Sequence, residues 1–369
     1  MSTQSVAEEA TAKNSPRSWR LPRMQEAGLI LVILILGLIF TGIGRVHGAP
    51  GQTNPFLNLD NLVNFIATPM SIYAIMAVGQ TLVIITGGID ISVGSIFALS
   101  GLGVAAVLQY MDQDASPWKV LPLAFAIAAG IGLACGLVNG ILTTGLRIHP
   151  FIVTLGTLSI FRGLANVLNP TNKTLPAGDN VLPDCLSTDL FQRYFFKHMV
   201  GGLGVQILPM IVMLVVVILG WIFLQTLVIG REIYAVGGNE EAARFSGLRV
   251  GRIKLLVYAL SGLSAGIAGL VSLGRFGSIS TQDGSGYELT VIAAAVVGGA
   301  SLTGGRGTAL GALLGALIIR LIESGIYNPM HWNAQYSQII IGSAIIVAVA
   351  IDRFSEIYRQ RRLARLGKR

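Results

Sequence analysis

Long apolar blocks alternate with short polar connections along most of the chain. The blocks occupy 27–43, 62–85, 91–111, 120–143, 151–169, 203–227, 255–273, 288–303, 308–326 and 336–351. A helix rises about 1.5 Å per residue, so roughly 20 residues cross a hydrocarbon core about 30 Å thick. The block 288–303 is marginal, and it fits a broken or re-entrant helix equally well. The pattern predicts an all-α, polytopic membrane bundle of about ten transmembrane helices.

Composition supports a membrane protein, because 53% of the residues are hydrophobic and only 12% are charged. Soluble domains carry roughly 25% charged residues. The net charge of +8 raises the question of a nucleic-acid partner. The basic residues cluster in the first 23 residues, in 231–254 and after 352, which is typical of cytoplasmic anchoring beside a lipid bilayer. We therefore expect no nucleic acid to bind.

The distribution of basic residues also predicts the orientation. With ten spans and a cytoplasmic N-terminus, 18 of the 26 Lys and Arg residues fall on the cytoplasmic side and six outside. This bias predicts an N-in, C-in chain. Its parts are then a cytoplasmic N-terminal tail (1–26), a transmembrane domain (27–352) and a basic cytoplasmic tail (353–369). The transmembrane domain includes an extracytoplasmic loop (170–202) and a cytoplasmic loop (228–252).

The cytoplasmic loop carries signals for a short helix. Gly237 and Gly238 break the preceding structure, and Asn239 is placed as an N-cap. The acidic pair 240–241 then falls in the first turn, where negative charge is favourable, and Gly247 is a natural C-terminal stop. The sequence thus predicts a short helix between two spans, with an aromatic side chain available to a partner. A solvated loop with ordinary cytoplasmic charge is the competing interpretation.

This segment resembles the coupling-helix loop of the ribose, galactose and xylose permeases of bacterial ABC importers, within the branched-chain amino acid and sugar permease superfamily. The stretches 86–95 (TGGIDISVGS) and 284–307 match the same family in the same order, so the likeness covers roughly 60–350. In that family the loop is the contact with the ATPase subunit. Carried onto this chain, the contact comprises Asn239, Glu240, Glu241, Ala242, Ala243, Arg244, Phe245, Ser246 and Gly247.

The resemblance implies a permease subunit that moves a monosaccharide or related polyol across the bacterial inner membrane. It implies three partners: a cytoplasmic ATPase, a periplasmic sugar-binding protein and a second permease chain, identical or closely related. The sequence has no G-x-x-x-x-G-K-[ST] phosphate loop, so the chain is not expected to be an enzyme that hydrolyses ATP. No cofactor is expected on this chain, and ATP and Mg would bind the partner ATPase.

Several polar residues within or beside the apolar blocks are candidates for the substrate path or a gate. Asp90 lies between two blocks, where it could cap a tight turn or form a gate. Glu288 opens the short eighth block, where it could offset the helix dipole or face the sugar. A neutral sugar needs hydrogen bonds but little charge, so three amides are weaker candidates that could equally join helices: Gln80, Asn139 and Asn166.

Charges and glycines inside the spans predict particular contacts. Arg320 and Glu323 are three residues apart on one helix, which favours a local ion pair. Arg162 has no partner evident from the sequence. Glycines four residues apart allow close backbone approach and predict packing mainly within the chain: Gly132, Gly136 and Gly140, and Gly307, Gly311 and Gly315.

Other functions remain open at this point. An ABC permease for branched-chain amino acids differs mainly in its substrate, and this chain discriminates poorly between the two. An ion-coupled secondary transporter would need coupling residues near the membrane midplane, and few embedded carboxylates are visible. An intramembrane enzyme would need clustered catalytic groups on facing spans, and the sequence offers none.

Overall fold

The computed structural model describes residues 24–47, 53–170, 174–177, 180–186, 206–330, 333, 336–344, 346–347 and 350. The predicted C-terminal tail lies outside these residues. So do most of the predicted N-terminal tail, much of the loop 170–202 and part of the predicted tenth span.

Eleven α-helices can be named in the described residues, and residues 336–344 are also helical. They are α1 Met24–His47, α2 Thr68–Ile85, α3 Val93–Leu108, α4 Pro117–Gly145, α5 Pro150–Leu168, α6 Leu208–Thr226, α7 Val228–Gly238, α8 Glu240–Phe245, α9 Val250–Phe276, α10 Tyr287–Val297 and α11 Ala309–Tyr327. A π-helical segment, Asn61–Ala67, leads directly into α2. The described chain forms no strand, only an isolated bridge between Leu175 and Ile279. The predicted all-α fold is confirmed.

In the part of the chain that the structure describes, seven helices are long and apolar enough to cross a membrane. The helices predicted as the third and eighth spans are shorter: α3 has 16 residues and α10 has 11. At about 1.5 Å per residue they reach roughly 24 Å and 17 Å, less than the hydrocarbon core. The helix of the third span is therefore shorter than the apolar block 91–111 predicted. The eighth matches the broken-helix alternative.

Local signals set where the long helices begin and end. Helices α4 and α5 start at Pro117 and Pro150, since proline lacks the N–H that a first helical residue leaves unpaired anyway. Helix α9 ends where Gly277 adopts a φ of 68°, and its N–H donates to the Leu273 carbonyl at 2.8 Å. A left-handed residue at this place suits glycine because it has no Cβ to clash.

Helix α9 forms the centre of the bundle and packs against α2, α3 and α4. Its approach to α4 depends on glycine. A Cβ on Gly132 would lie 2.4 Å from the Gly262 carbonyl oxygen, and a Cβ on Gly262 would lie 2.2 Å from the Gly132 carbonyl oxygen. The backbones are thus in direct contact, as at small-residue interfaces of membrane helices. The glycines of α4 serve packing within this chain, as predicted.

The outside of the bundle is apolar. Helices α1, α5 and α6 turn large hydrophobic side chains outward, among them Leu31, Leu38, Ile152, Val167, Ile218 and Leu219. In water such a surface would aggregate, whereas lipid tails solvate it. The exterior therefore fits a protein surrounded by a bilayer.

The two short helices begin inside the bundle, next to each other. A Cβ on Gly94, in the first turn of α3, would lie 2.3 Å from the Gly284 carbonyl oxygen, just before α10. From there α10 runs to the end of the bundle that carries α7 and α8. The segments 86–92 and 277–286 thus supply irregular backbone beside the starts of these helices; Asp90, Ser92, Thr281 and Gly284 are buried, whereas Gln282, Asp283, Ser285 and Gly286 are exposed.

Candidate functional site

The first candidate region is α8, the six-residue helix between α7 and α9. Asn239 precedes it in an extended conformation, and its Oδ1 accepts the Ala242 N–H at 2.9 Å. Glu240 and Glu241 occupy the first turn, and Gly247 follows with a φ of 87°. The predicted N-cap, helix and glycine stop are confirmed as local structure. The contact with an ATPase stays a prediction.

Helix α8 has one anchored face and one open face. Ala243 is buried among Ile233, Val236 and Ile253 of α7 and α9. On the other side the Phe245 ring is 90% exposed. Aromatic side chains are enriched at protein interfaces, so this exposed ring keeps the predicted contact with a partner open.

The Glu240 side chain ties α8 to the bundle. Its carboxylate accepts Lys254 Nζ at 2.7 Å and Arg244 Nη2 at 3.2 Å. The hydrogen bond from Lys254 is the main cause that lowers the pKa of Glu240 below its ordinary value of 4.5. The carboxylate therefore remains ionised at neutral pH, and the pair holds the start of α8 against the start of α9.

Helix α7 is in backbone contact with the end of α2. A Cβ on Gly237 would lie 1.6 Å from the Ile85 carbonyl oxygen. The same oxygen accepts the Gly305 N–H at 2.8 Å, and Tyr234 Oη donates to the Gly307 carbonyl at 2.7 Å. These contacts join α7, α2 and the loop 298–308 at one end of the bundle. Helix α7 and the end of α2 are therefore in direct backbone contact.

The second candidate region follows Ile85 and centres on Asp90, which is fully buried. Its Oδ1 accepts the Ser92 N–H at 3.0 Å and the Ser92 hydroxyl at 2.7 Å. Its Oδ2 accepts the Ser261 hydroxyl of α9 at 3.1 Å. Ser92, not Asp90, directly precedes α3. Asp90 thus organises the turn before α3 and also bonds to a residue near the middle of α9.

Two of the predicted path amides surround the same segment. Asn139 donates to the Ser92 hydroxyl at 2.8 Å and accepts the Thr157 hydroxyl at 2.6 Å. The Gln80 amide, in the orientation that satisfies both its ends, pairs with the N–H and carbonyl of Asp90, each at 3.1 Å. Both amides are fully buried. The structure therefore brings Gln80, Asp90 and Asn139 into one network that links α2, α4, α5 and α9.

The remaining candidates lie elsewhere. Glu288 is half-buried at the start of α10, where its Oε1 accepts the Gly286 N–H at 3.2 Å. Asn166 is half-buried on α5, and its Oδ1 accepts no hydrogen bond from the described residues. Their roles in a substrate path stay predictions.

The structure also supplies partners that the sequence did not show. Arg162 reaches from α5 to the carbonyls of Thr281 and Asp283, and so fixes the segment before α10. Thr157 and Ser261 were not singled out from the sequence. Their only signal was a small hydroxyl inside an apolar span, which often forms a hydrogen bond to another helix. That signal names no partner, so only the fold could connect them with Asp90.

Comparison with known proteins places this architecture in a family. Residues 62–349 match the family described as "Branched-chain amino acid transport system / permease component". The ribose import permease of Escherichia coli K12 is 36% identical over 332 residues, covering 89% of this chain and 94% of the relative. The D-allose permease of the same strain is 36% identical over 328 residues, covering 88% and 91%. The fructose import permease of Rhizobium meliloti is 35% identical over 332 residues, covering 89% and 85%.

No solved structure matches this chain. The ribose and D-allose permeases nevertheless align with 89% and 88% of the chain, and the family match over residues 62–349 includes both candidate regions. Together with the seven apolar helices of spanning length, they identify the chain as a multi-pass inner-membrane protein. We conclude that it belongs to the family described as the permease component of branched-chain amino acid transport systems, which contains permeases of ABC importers.

Proposed function

We propose that this chain is the membrane-spanning subunit of an ABC importer for a monosaccharide, such as a pentose, a hexose or a related polyol. A separate cytoplasmic subunit would bind ATP and Mg and hydrolyse the nucleotide. A periplasmic binding protein would deliver the sugar, and a second permease chain would complete the path. The observation that carries the proposal is the near full-length similarity to permeases named for ribose, D-allose and fructose.

The geometry of α8 supports a role as the contact with the ATPase. The helix is fixed by its Asn239 cap and by the Glu240–Lys254 pair, so it does not need to order when a partner binds. A pre-organised surface loses less conformational entropy on association. Phe245, nearly fully exposed, would then fill a pocket on the ATPase.

The contacts behind α8 suggest how movement of the ATPase would reach the substrate path. A push on α8 is passed to α7, whose Gly237 rests on the Ile85 carbonyl. Ile85 leads within five residues to Asp90, which bonds to α9 through Ser261. Both the start of α3 and the centre of the bundle would therefore respond. The path consists of packed backbone and hydrogen bonds, which are the kinds of contact that carry coupling between distant sites.

Truncation of the exposed aromatic residue tests the proposed contact. We expect Phe245→Ala to abolish co-purification with the ATPase subunit and ATP-driven sugar uptake in proteoliposomes, since interface anchors of this type contribute about 2 kcal/mol or more. Trp118→Ala is the matched control, because that ring is 89% exposed at the start of α4. A Phe245→Ala protein with normal complex and normal uptake would remove α8 from the interface.

Import of branched-chain amino acids is the second candidate, because the matched family is described by that substrate. Uptake by the same proteoliposomes distinguishes sugar import from amino-acid import. Uptake of ribose, D-allose or fructose supports the proposal, whereas uptake of L-leucine alone supports the amino-acid alternative. Dependence on enclosed ATP, with no effect of ionophores, separates both from an ion-coupled transporter.

A further inference from the structure

A cavity of about 630 Å³ lies between α2, the start of α10, the second half of α11 and the helical residues 336–344. Its size falls within the roughly 300–1,000 Å³ of small-molecule sites. Its lining side chains with aromatic, charged or hydroxyl groups include Tyr73, Tyr287, Thr290, Arg320, Glu323 and Ser337. Charged and polar side chains are rare within membrane-spanning helices, so a cavity with a polar wall among them is unusual.

Two tyrosines form the aromatic part of the wall. The rings of Tyr73 and Tyr287 meet edge to face, with centroids 5.0 Å apart and planes at 73°. Phe97 supports Tyr287 from behind at a centroid distance of 5.4 Å. The rings are therefore held in position by their neighbours. Fixed tyrosine rings offer an apolar face and a polar edge, which together suit the C–H and O–H groups of a sugar.

An ion pair forms the polar part of the wall. Arg320 donates to the Glu323 carboxylate from the same helix, as predicted, and also to the Phe65 carbonyl. Their side chains are only 16% and 18% exposed. The Arg320 guanidinium thus lies in the wall beside a carboxylate that has further lone pairs to accept hydrogen bonds.

The charges of this wall indicate the class of ligand. Arg320 and Glu323 neutralise each other, so the cavity offers no net charge to attract an ion. It offers hydrogen-bond donors, acceptors and aromatic surface, the combination that binds a neutral hydroxyl-rich molecule. Ionisable residues inside a membrane, paired and facing a cavity, commonly mark a substrate path.

The polar groups in the buried network around Asp90 are not available to a sugar. Gln80, Asp90 and Asn139 are fully enclosed and bond to one another or to Ser92. A sugar could reach them only by breaking those bonds. We propose that the cavity walled by Tyr73, Tyr287, Arg320 and Glu323 is a transit site that receives the monosaccharide inside the membrane. This inference rests on the proposed function as a sugar permease.

A thiol placed in the wall tests the proposal in the assembled transporter. Thr290→Cys lines the cavity, and both native cysteines are buried. In vesicles that contain the ATPase and binding protein, a bulky methanethiosulfonate reagent should lower uptake of labelled ribose, D-allose or fructose at least about tenfold relative to the same protein before labelling. The transported sugar should slow the labelling at least about threefold. Val167→Cys, 76% exposed on α5, is the control and should show neither effect.

The outcomes separate the two proposals. Complete labelling of Thr290→Cys with unchanged uptake and no protection by sugar would overturn the transit site while leaving the sugar permease intact. Wild-type transport of L-leucine and of none of the three sugars would overturn the proposed function itself. Ser285→Cys, which also lines the cavity, provides a second labelling position if the first variant does not assemble.

Removal of the Tyr287 hydroxyl tests whether this residue contacts the sugar. A residue with a purely structural role would not change the relative uptake rates of different sugars. We expect Tyr287→Phe to change the ratio of uptake rates among the three sugars by at least about threefold, because lost hydroxyl contacts affect sugars differently. Tyr110→Phe removes a hydroxyl from a ring that is 78% exposed outside the cavity, and should leave the ratio unchanged. An unchanged ratio in Tyr287→Phe would argue that its hydroxyl does not contact the sugar.

Discussion

The Ser261 hydroxyl donates to Oδ2 of Asp90 at 3.1 Å, although 171 residues separate the two in the chain. This bond joins the central helix α9 to the irregular segment between α2 and α3. It also places a carboxylate where hydropathy alone shows only the boundary between two apolar blocks.

Removal of the Asp90 carboxylate should destabilise the fold more than its conversion to an amide. Asp90→Ala leaves the Ser92 N–H, a buried donor, without its acceptor, and frees the hydroxyls of Ser92 and Ser261. We expect a loss of about 3 kcal/mol in the free energy of unfolding, against about 1 kcal/mol for Asp90→Asn, which keeps an oxygen and the shape. Unfolding of the detergent-solubilised protein measures both. Equal losses would show that the hydrogen bonds contribute little.

Adjacent glycines in α7 should respond very differently to alanine. A Cβ on Gly237 would lie 1.6 Å from the Ile85 carbonyl oxygen, whereas a Cβ on Gly238 would meet no atom within 4 Å. Gly237→Ala must therefore push α7 away from α2. We expect it to reduce ATP-driven uptake at least about tenfold, since small displacements at rigid contacts disrupt coupled motion. Gly238→Ala should behave as wild type, and equal behaviour of the pair would exclude this contact from coupling.

The same comparison applies to the packing of α4 on α9. A Cβ on Gly136 would lie 2.3 Å from the Tyr258 carbonyl oxygen, while a Cβ on Gly130 would meet nothing within 4 Å. Gly136→Ala should lower the free energy of unfolding by about 1–3 kcal/mol, as overpacking does. Gly130→Ala should be neutral or slightly stabilising, because alanine favours the helix. Thermal unfolding of the two variants in detergent checks the difference.

The attachment of α8 should weaken in acid. Lys254, through its hydrogen bond, lowers the pKa of Glu240 below 4.5, so the pair stabilises the folded segment above that pH and is lost as the pH falls through the lowered pKa. Because the Glu240 side chain is 41% exposed, solvent screens the pair and the effect is modest. After division by the intrinsic exchange rate, which itself falls in acid, the protection of the amides of residues 240–245 should decrease as the pH falls from about 5 through the lowered pKa of Glu240. Glu240→Gln should remove this extra change, and its persistence in that variant would assign it to another group.

Much of this protein could be predicted from local patterns. Apolar blocks of spanning length indicated the membrane bundle, and the Asn239 cap with Gly247 indicated α8, because both depend on interactions between near neighbours. The pairing of Arg320 with Glu323 was predicted for the same reason. The length of α3 was not, since the turn that delays its start is held by Asp90 through contacts with α4 and α9.

The sequence by itself determined that the chain lies in a membrane, that it is helical, and that its motifs belong to a permease family. Hydrophobicity, capping and residue spacing act over a few residues, so they can be read along the chain. The tertiary structure decided which polar groups hydrogen-bond to one another and which remain available to a ligand. Gln80 and Asn139 hydrogen-bond within one buried network, so their predicted place in the substrate path stays a prediction, while Tyr73 and Tyr287 meet in a cavity wall. Contacts across more than 200 residues are set by how helices pack, and no local pattern contains that information.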